Sequence, residues 1–182
     1  MNFCNITLET ANTGTGTLMP NVYPMILNHI AVSVPDLDQA VKWYKEVLGF
    51  TTVKEAVEFV ADDSPTGKIV KDIHGSKLKK MRMAWLSSAN QVGFEIFEYI
   101  EPKSERRINN FEYWKSGFIY ICITNPDIKG LCNRISETGG KRRSKIWELN
   151  PEKGIKIAFC EDPFGNIIEI YSHSYEQTIL SI

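Results

Sequence analysis

The sequence predicts an α+β chain built from two copies of one βαβββ unit. Three observations predict it. His29-Ile30-Ala31-Val32-Ser33-Val34-Pro35-Asp36-Leu37 and Tyr120-Ile121-Cys122-Ile123-Thr124-Asn125-Pro126-Asp127-Ile128 share one pattern, an alternating run, then Pro-Asp, then helical spacing. The far ends repeat as well, with Glu95-Ile96-Phe97 matching Glu169-Ile170-Tyr171. A length of 182 residues with 43% hydrophobic side chains suits one globular unit, or two small modules that share a core.

Composition narrows the partners. The net charge is −1, and the basic pairs Lys79-Lys80 and Arg142-Arg143 are too short to track a phosphate backbone, so no nucleic-acid partner is expected. No apolar run reaches the roughly 20 residues that span a bilayer. The first residues lack the basic-then-apolar layout of a secretory signal. Cys4, Cys122, Cys132 and Cys160 make no Cys-x-x-Cys pair. They read as small buried residues in a reducing cytosol, so a cytoplasmic protein is expected.

Residues 1–24, rich in Thr, Asn and Gly, read as a flexible arm. The first module is expected over 25–99. In its first strand His29, Ala31 and Ser33 share one face, and Ile30, Val32 and Val34 share the face that packs on a helix. Asp36 caps that helix, Leu37, Ala40, Val41, Tyr44 and Leu48 follow its spacing, and Gly49 stops it. Residues 50–61 read as a strand. Residues 62–80 form an insertion that the second half lacks, with a helix that starts at Ser64-Pro65 and ends at Gly75. Strands are expected at 81–87 and 92–99.

Residues 100–116 form a charged connector that ends in Phe111, Tyr113 and Trp114. Those aromatics could anchor the connector on the core, the commoner role, or cover a cavity mouth. The second module, 117–173, has a strand at 118–124 and a helix from Asp127 to Gly139-Gly140. Strands follow near 141–148, 155–160 and 166–171, and Asp162-Pro163-Phe164-Gly165-Asn166 is the turn before the last. Residues 174–182 form a tail.

This doubled βαβββ pattern resembles the vicinal-oxygen-chelate superfamily, which includes glyoxalase I, methylmalonyl-CoA epimerase, fosfomycin-resistance transferases, extradiol dioxygenases and bleomycin-binding proteins. The resemblance spans about residues 26–173. Its markers are Leu27-Asn28-His29-Ile30-Ala31-Val32, Trp43-Tyr44 before Leu48-Gly49-Phe50, and Glu161-Asp162-Pro163-Phe164-Gly165-Asn166-Ile167-Ile168-Glu169-Ile170. It implies an open, cup-like eight-stranded sheet, with the modules paired within one chain or across a homodimer.

The resemblance also implies a site. In metal-dependent members the ligands come from the first and last strands of each module, which here are His29, Glu95, Tyr120 and Glu169. Glyoxalase I-like enzymes carry His where this chain has Tyr120. The remaining imidazole and two carboxylates suit a divalent cation such as Mn²⁺, Fe²⁺, Mg²⁺ or Zn²⁺. Tyr120 could bind as phenolate, fill the space of a lost ligand, or stay protonated and do acid/base or hydrogen-bonding work. The last comes first, because a phenol with a pKa of about 10 rarely ionises unaided. Ser33, Phe97, Cys122, Thr124 and Tyr171 are expected to wall the cup with Ala31. Arg82 and Lys156, at matching places in two strands, would bind substrate or offset the glutamates if they point inward.

The activity so implied is a metal-assisted lyase or isomerase, with Glu169 or Glu95 moving a proton of a small oxygen-chelating substrate and Tyr120 assisting. Metal-free small-molecule sequestration, metal-independent isomerase or cyclase chemistry, and Fe²⁺ ring cleavage are the other readings this fold allows.

Overall fold

The computed structural model describes residues 24–106 and 108–181. The N-terminal arm therefore lies, apart from Pro24, outside the described residues, as does Cys4. The first repeat runs β1 (His29–Ser33), α1 (Leu37–Leu48), β2 (Thr51–Val60), α2 (Pro65–His74), β3 (Lys80–Ser87) and β4 (Gly93–Glu101). The second runs β5 (Ile121–Thr124), α3 (Ile128–Glu137), β6 (Lys141–Arg142), β7 (Trp147–Asn150), β8 (Ile155–Glu161) and β9 (Ile167–Tyr171), followed by α4 (Tyr175–Ile179).

The caps lie where the residue types place them. Asp36 accepts from Gln39 N at 2.9 Å and Asp127 from Gly130 N at 2.9 Å. Gly49, at φ 73°, closes α1 in the left-handed conformation. The tail is helical in α4, because Ser174 and Gln177 form a reciprocal capping box.

Each repeat folds into its own sheet, so the strands make two sheets rather than one of eight. The orders are β1-β4-β3-β2 and β5-β9-β8-β6, with β7 also on β8. In both, the first strand lies parallel to the last and the other pairs are antiparallel. The strand expected near 141–148 is split into β6 and β7. The backbone amides of Arg143 and Ser144 both reach the carbonyl of Phe159, and Ser144 Oγ takes the Phe159 amide, so regular pairing breaks there.

One core joins the repeats. Leu37, Ala40, Tyr44 and Val47 of α1 pack on Ala84, Leu86, Phe94 and Ile96, while Ile128, Leu131 and Ile135 of α3 pack on Ala158, Ile168 and Ile170. Each such side chain contributes about 1.5–3 kcal/mol of burial. The helices meet, and Trp43 Nε1 donates to Thr138 Oγ1 at 3.0 Å. Cys132 and Cys160 lie in this core with sulfurs 3.5 Å apart. Cys122 instead is exposed, on the opposite face of its sheet.

With the helices inside, the other face of each sheet points away from the shared core. On the first sheet part of that face is covered by α2, whose Val70 packs with Ala61, Leu78, Met81, Phe97 and Tyr99. No helix among the described residues is long and apolar enough to cross a membrane.

Candidate functional site

The parity of β1 and β4 puts His29 and Glu95 on the outer face of the first sheet. Gly93 pairs with His29 in the register, and a Cβ there would lie 2.9 Å from the His29 Cβ, so glycine keeps the flank of the imidazole open. His29 Nε2 stands 3.6 Å from Glu95 Oε2. On the other side of the ring, Nδ1 bonds Asn28 Oδ1 at 2.8 Å. The amide oxygen only accepts, so Nδ1 is the donor of this bond and Nε2 is the ring nitrogen left on the Glu95 side. A proton or a cation could bridge the 3.6 Å between Nε2 and the carboxylate. Ala31 and Trp85 flank Glu95 across the ladder.

The second sheet repeats this arrangement. Cys122 and Phe159 flank Glu169 in the register, as Ala31 and Trp85 flank Glu95. Glu169 is only 6% exposed. Burial raises its pKa, opposed in part by the neighbouring Cys122 thiol, and among the described residues no cation pairs with it. The Cys122 thiol is itself held well above its ordinary pKa, by burial first and then by Glu169. It is therefore no ready nucleophile.

Tyr120 precedes β5, 39% exposed, with its ring 5.5 Å from that of Phe159. Burial and then the Glu169 carboxylate raise its pKa, which keeps the phenol protonated. Above it lies Tyr113 of the connector, 6.2 Å from Tyr120 and 6.1 Å from Phe159 between ring centres. The Tyr113 hydroxyl is buried without a hydrogen-bond partner, and burial pushes its pKa up to about 12. Of the connector aromatics, Tyr113 anchors on Phe159 of the second sheet and Phe111 packs on Tyr113, whereas Trp114 is exposed.

The ligand positions therefore form pairs, His29 with Glu95 and Tyr120 with Glu169. They do not meet in one cup within the chain. Among the described residues no three His, Cys, Asp or Glu side chains lie close enough to hold an ion. The cause is the inner helix layer, which turns the two outer faces away from each other. The wall residues divide likewise. Ala31, Ser33 and Phe97 belong to the first face, and Cys122, Thr124 and Tyr171 to the second.

Arg82 and Lys156 are on neither face. Arg82 binds Asp38 of α1 at 2.8 Å and Glu98 at 3.2 Å, and its hydrogen bond holds the Asp38 carboxyl below the usual range. Lys156 pairs with Glu148 at 3.4 Å. Their parity, one step off that of Met83 and Ile157, turns both toward the helix side. Sequence reasoning missed Asn28 and Gly93, and named Tyr113 only as one of three connector aromatics. The first two adjoin the ligand positions in chain or register, whereas nothing in the local pattern of the connector marks Tyr113.

The model of the Glyoxalase/Bleomycin resistance protein/Dioxygenase superfamily matches residues 26–170. A 2-epi-5-epi-valiolone epimerase from an Actinomyces species is 30% identical over 113 residues, covering 62% of this chain and 58% of its own. A lactoylglutathione lyase of Schizosaccharomyces pombe is 30% identical over 159 residues, 81% of this chain and 47% of its own. The chain thus spans about half the length of these two relatives. Another lactoylglutathione lyase, from Pseudomonas putida, is 24% identical and matched over 94% of its length. Among solved structures, a glyoxalase family protein from Bacillus cereus superposes with a TM-score of 0.68 at 14% identity, over 84% of this chain and 97% of that one. Glyoxalase I from Zea mays gives 0.54 at 22% identity, over 81% and 44%.

Proposed function

Since the chain belongs to the Glyoxalase/Bleomycin resistance protein/Dioxygenase superfamily, we propose that it is a metal-assisted lyase or isomerase acting on a small substrate with neighbouring oxygen atoms. The observation that carries this reading is His29 Nε2 standing 3.6 Å from the Glu95 carboxylate, with the ring held from behind by Asn28. A hydrogen-bonded far nitrogen is how proteins orient histidine ligands. Glu169, buried beside a thiol, is the second carboxylate that needs a counter-charge. The names of the relatives, an epimerase and lactoylglutathione lyases, agree with a lyase or isomerase.

A divalent cation would be held by His29, Glu95 and Glu169, which requires two copies of the chain because the two outer faces of one copy point apart. The first face of one copy would lie against the second face of the other. When bound, the cation supplies Lewis-acid stabilisation of negative charge on a substrate oxygen. The protein's own groups do the rest. Glu169, with its pKa raised by burial, takes the proton from the carbon beside the substrate carbonyl. Tyr120 and Tyr113 remain protonated and donate hydrogen bonds to the enolate oxygen. Ala31 and Ser33 leave room for the substrate, while Trp85, Phe97 and Phe159 exclude water.

Solvent deuterium exchange into small α-hydroxycarbonyl compounds and α-oxoaldehyde–thiol adducts tests the reading. Exchange should need protein purified without chelator, stop on chelation and return with Mn²⁺, Fe²⁺, Mg²⁺ or Zn²⁺. Glu169→Gln should lose both metal retention and exchange. Unchanged turnover in that variant would overturn the proposal.

A further inference from the structure

Behind the connector aromatics, three cations crowd one carboxylate. Arg106 Nη2 lies 3.1 Å from Glu161 Oε1, Arg143 Nη1 lies 3.2 Å from Oε2, and Lys141 Nζ lies 3.9 Å from Oε1. Glu161 is 8% exposed. The two arginines occupy its two oxygens, which leaves Lys141 a long, weak contact and the cluster a surplus of two positive charges. These groups line a polar cavity of about 370 Å³, completed by Asn109, Asn110 and Gly165. The cavity shares no residue with the His29–Glu95 or Tyr120–Glu169 pairs.

We propose that this cavity binds a small dianion of the phosphate class, as inorganic phosphate or as a phosphate monoester. A dianion brings the cluster to neutrality. The guanidinium groups have further N–H donors beyond those used on Glu161, and their planar forks match phosphate oxygens. A simple ion-pair role for Glu161 accounts for the two arginines. It accounts for neither the third cation nor the space left among them. Three cations around one hollow suit a compact anion.

The position gives the occupant a consequence. Arg106, Asn109 and Asn110 belong to the connector, whereas Lys141, Arg143 and Gly165 belong to the second repeat. A bound dianion clips one to the other. The Arg143 guanidinium also lies 4.4 Å from the centre of the Phe111 ring, and Phe111 packs on Tyr113 at 4.6 Å. The clip therefore holds Phe111 and Tyr113 against the second sheet. This inference does not depend on the metal-assisted reading.

Calorimetric titration of the full chain with inorganic phosphate, with ionic strength held by chloride, tests it. One saturable site per chain is expected, and glycerol phosphate should bind there while succinate binds more weakly. Lys141→Gln, which alters an exposed side chain, should weaken phosphate by about tenfold, and so should Arg106→Gln. Phosphate should slow backbone hydrogen exchange over residues 108–113. Phosphate binding that chloride abolishes, that both variants retain in full, or that succinate exceeds would overturn the assignment. If Arg106→Gln loosens the connector, Lys141→Gln still decides the matter.

Discussion

The hydroxyl of Tyr44, on the first helix, donates a 2.6 Å hydrogen bond to Asp162 Oδ2 in the last turn of the second repeat, 118 residues away. Asp162 is 1% exposed and also accepts from the backbone amides of Phe164 and Asn166 and from Asn166 Nδ2. Burial raises its pKa, against the lowering effect of these donors. The bond ties the two repeats through their most buried polar groups.

Tyr44→Phe should therefore destabilise the protein by about 1.5–3 kcal/mol, the value of a buried hydrogen bond to a charged group. Urea denaturation followed by tryptophan fluorescence measures it. A loss well under 1 kcal/mol would show that the three remaining donors satisfy Asp162 alone.

For Glu169, the raised folded pKa sets the sign of a pH effect. In metal-free protein the carboxyl's contribution to stability is full below its unfolded value of about 4.3 and is lost as pH rises through the higher folded value. Glu169→Gln should therefore melt above wild type at pH 7 without metal, by about 2–4 °C per kcal/mol recovered. The gap should close toward pH 4. A variant less stable than wild type at pH 7 would show that Glu169 has a cationic partner in the folded protein.

Asn28→Ala leaves the proposed ligands in place but frees the His29 ring. Metal affinity should fall by about 10–100-fold, the usual loss when such an orienting partner goes. Competition with a fluorescent chelator reads this directly, and unchanged affinity would remove Asn28 from the site.

Tyr113→Phe deletes a buried hydroxyl that has no partner. Stability should hold or rise by about 1 kcal/mol, because a desolvated polar group is removed. Turnover should fall by about tenfold if that hydroxyl meets the substrate oxygen, one lost hydrogen bond to developing charge being worth roughly that much. Thermal melts and deuterium-exchange rates on the same sample separate the two effects.

Parity and caps made the repeats readable, because each strand has a solvent face and a helix face and each helix has an Asp, Pro or Gly at its ends. The same parity placed His29, Ala31 and Ser33 together, and likewise Glu95 and Phe97. Parity fixes a face only relative to its own sheet. It carries no information on how two sheets are turned, so the separation of His29 and Glu95 from Glu169 could not be seen in the sequence. Arg82 and Lys156 mislead for a related reason. Matching places in a repeat guarantee matching orientations, and both point to the helix side. Tyr113 was readable only as one of three connector aromatics, because it lies in a segment without periodicity and is fixed by tertiary contacts with Tyr120 and Phe159.

The outer faces of the two sheets have the same design beneath and different covers above. An inserted helix lies over Phe97 and Tyr99 on one, with His74 against both rings. A linker lays Phe111 and Tyr113 over the other. Neither cover belongs to the duplicated pattern, so each can be rebuilt without disturbing a strand register or the helix layer. Such a molecule can change what it admits by exchanging one peripheral segment at a time, while the chemistry-bearing scaffold below stays as it is.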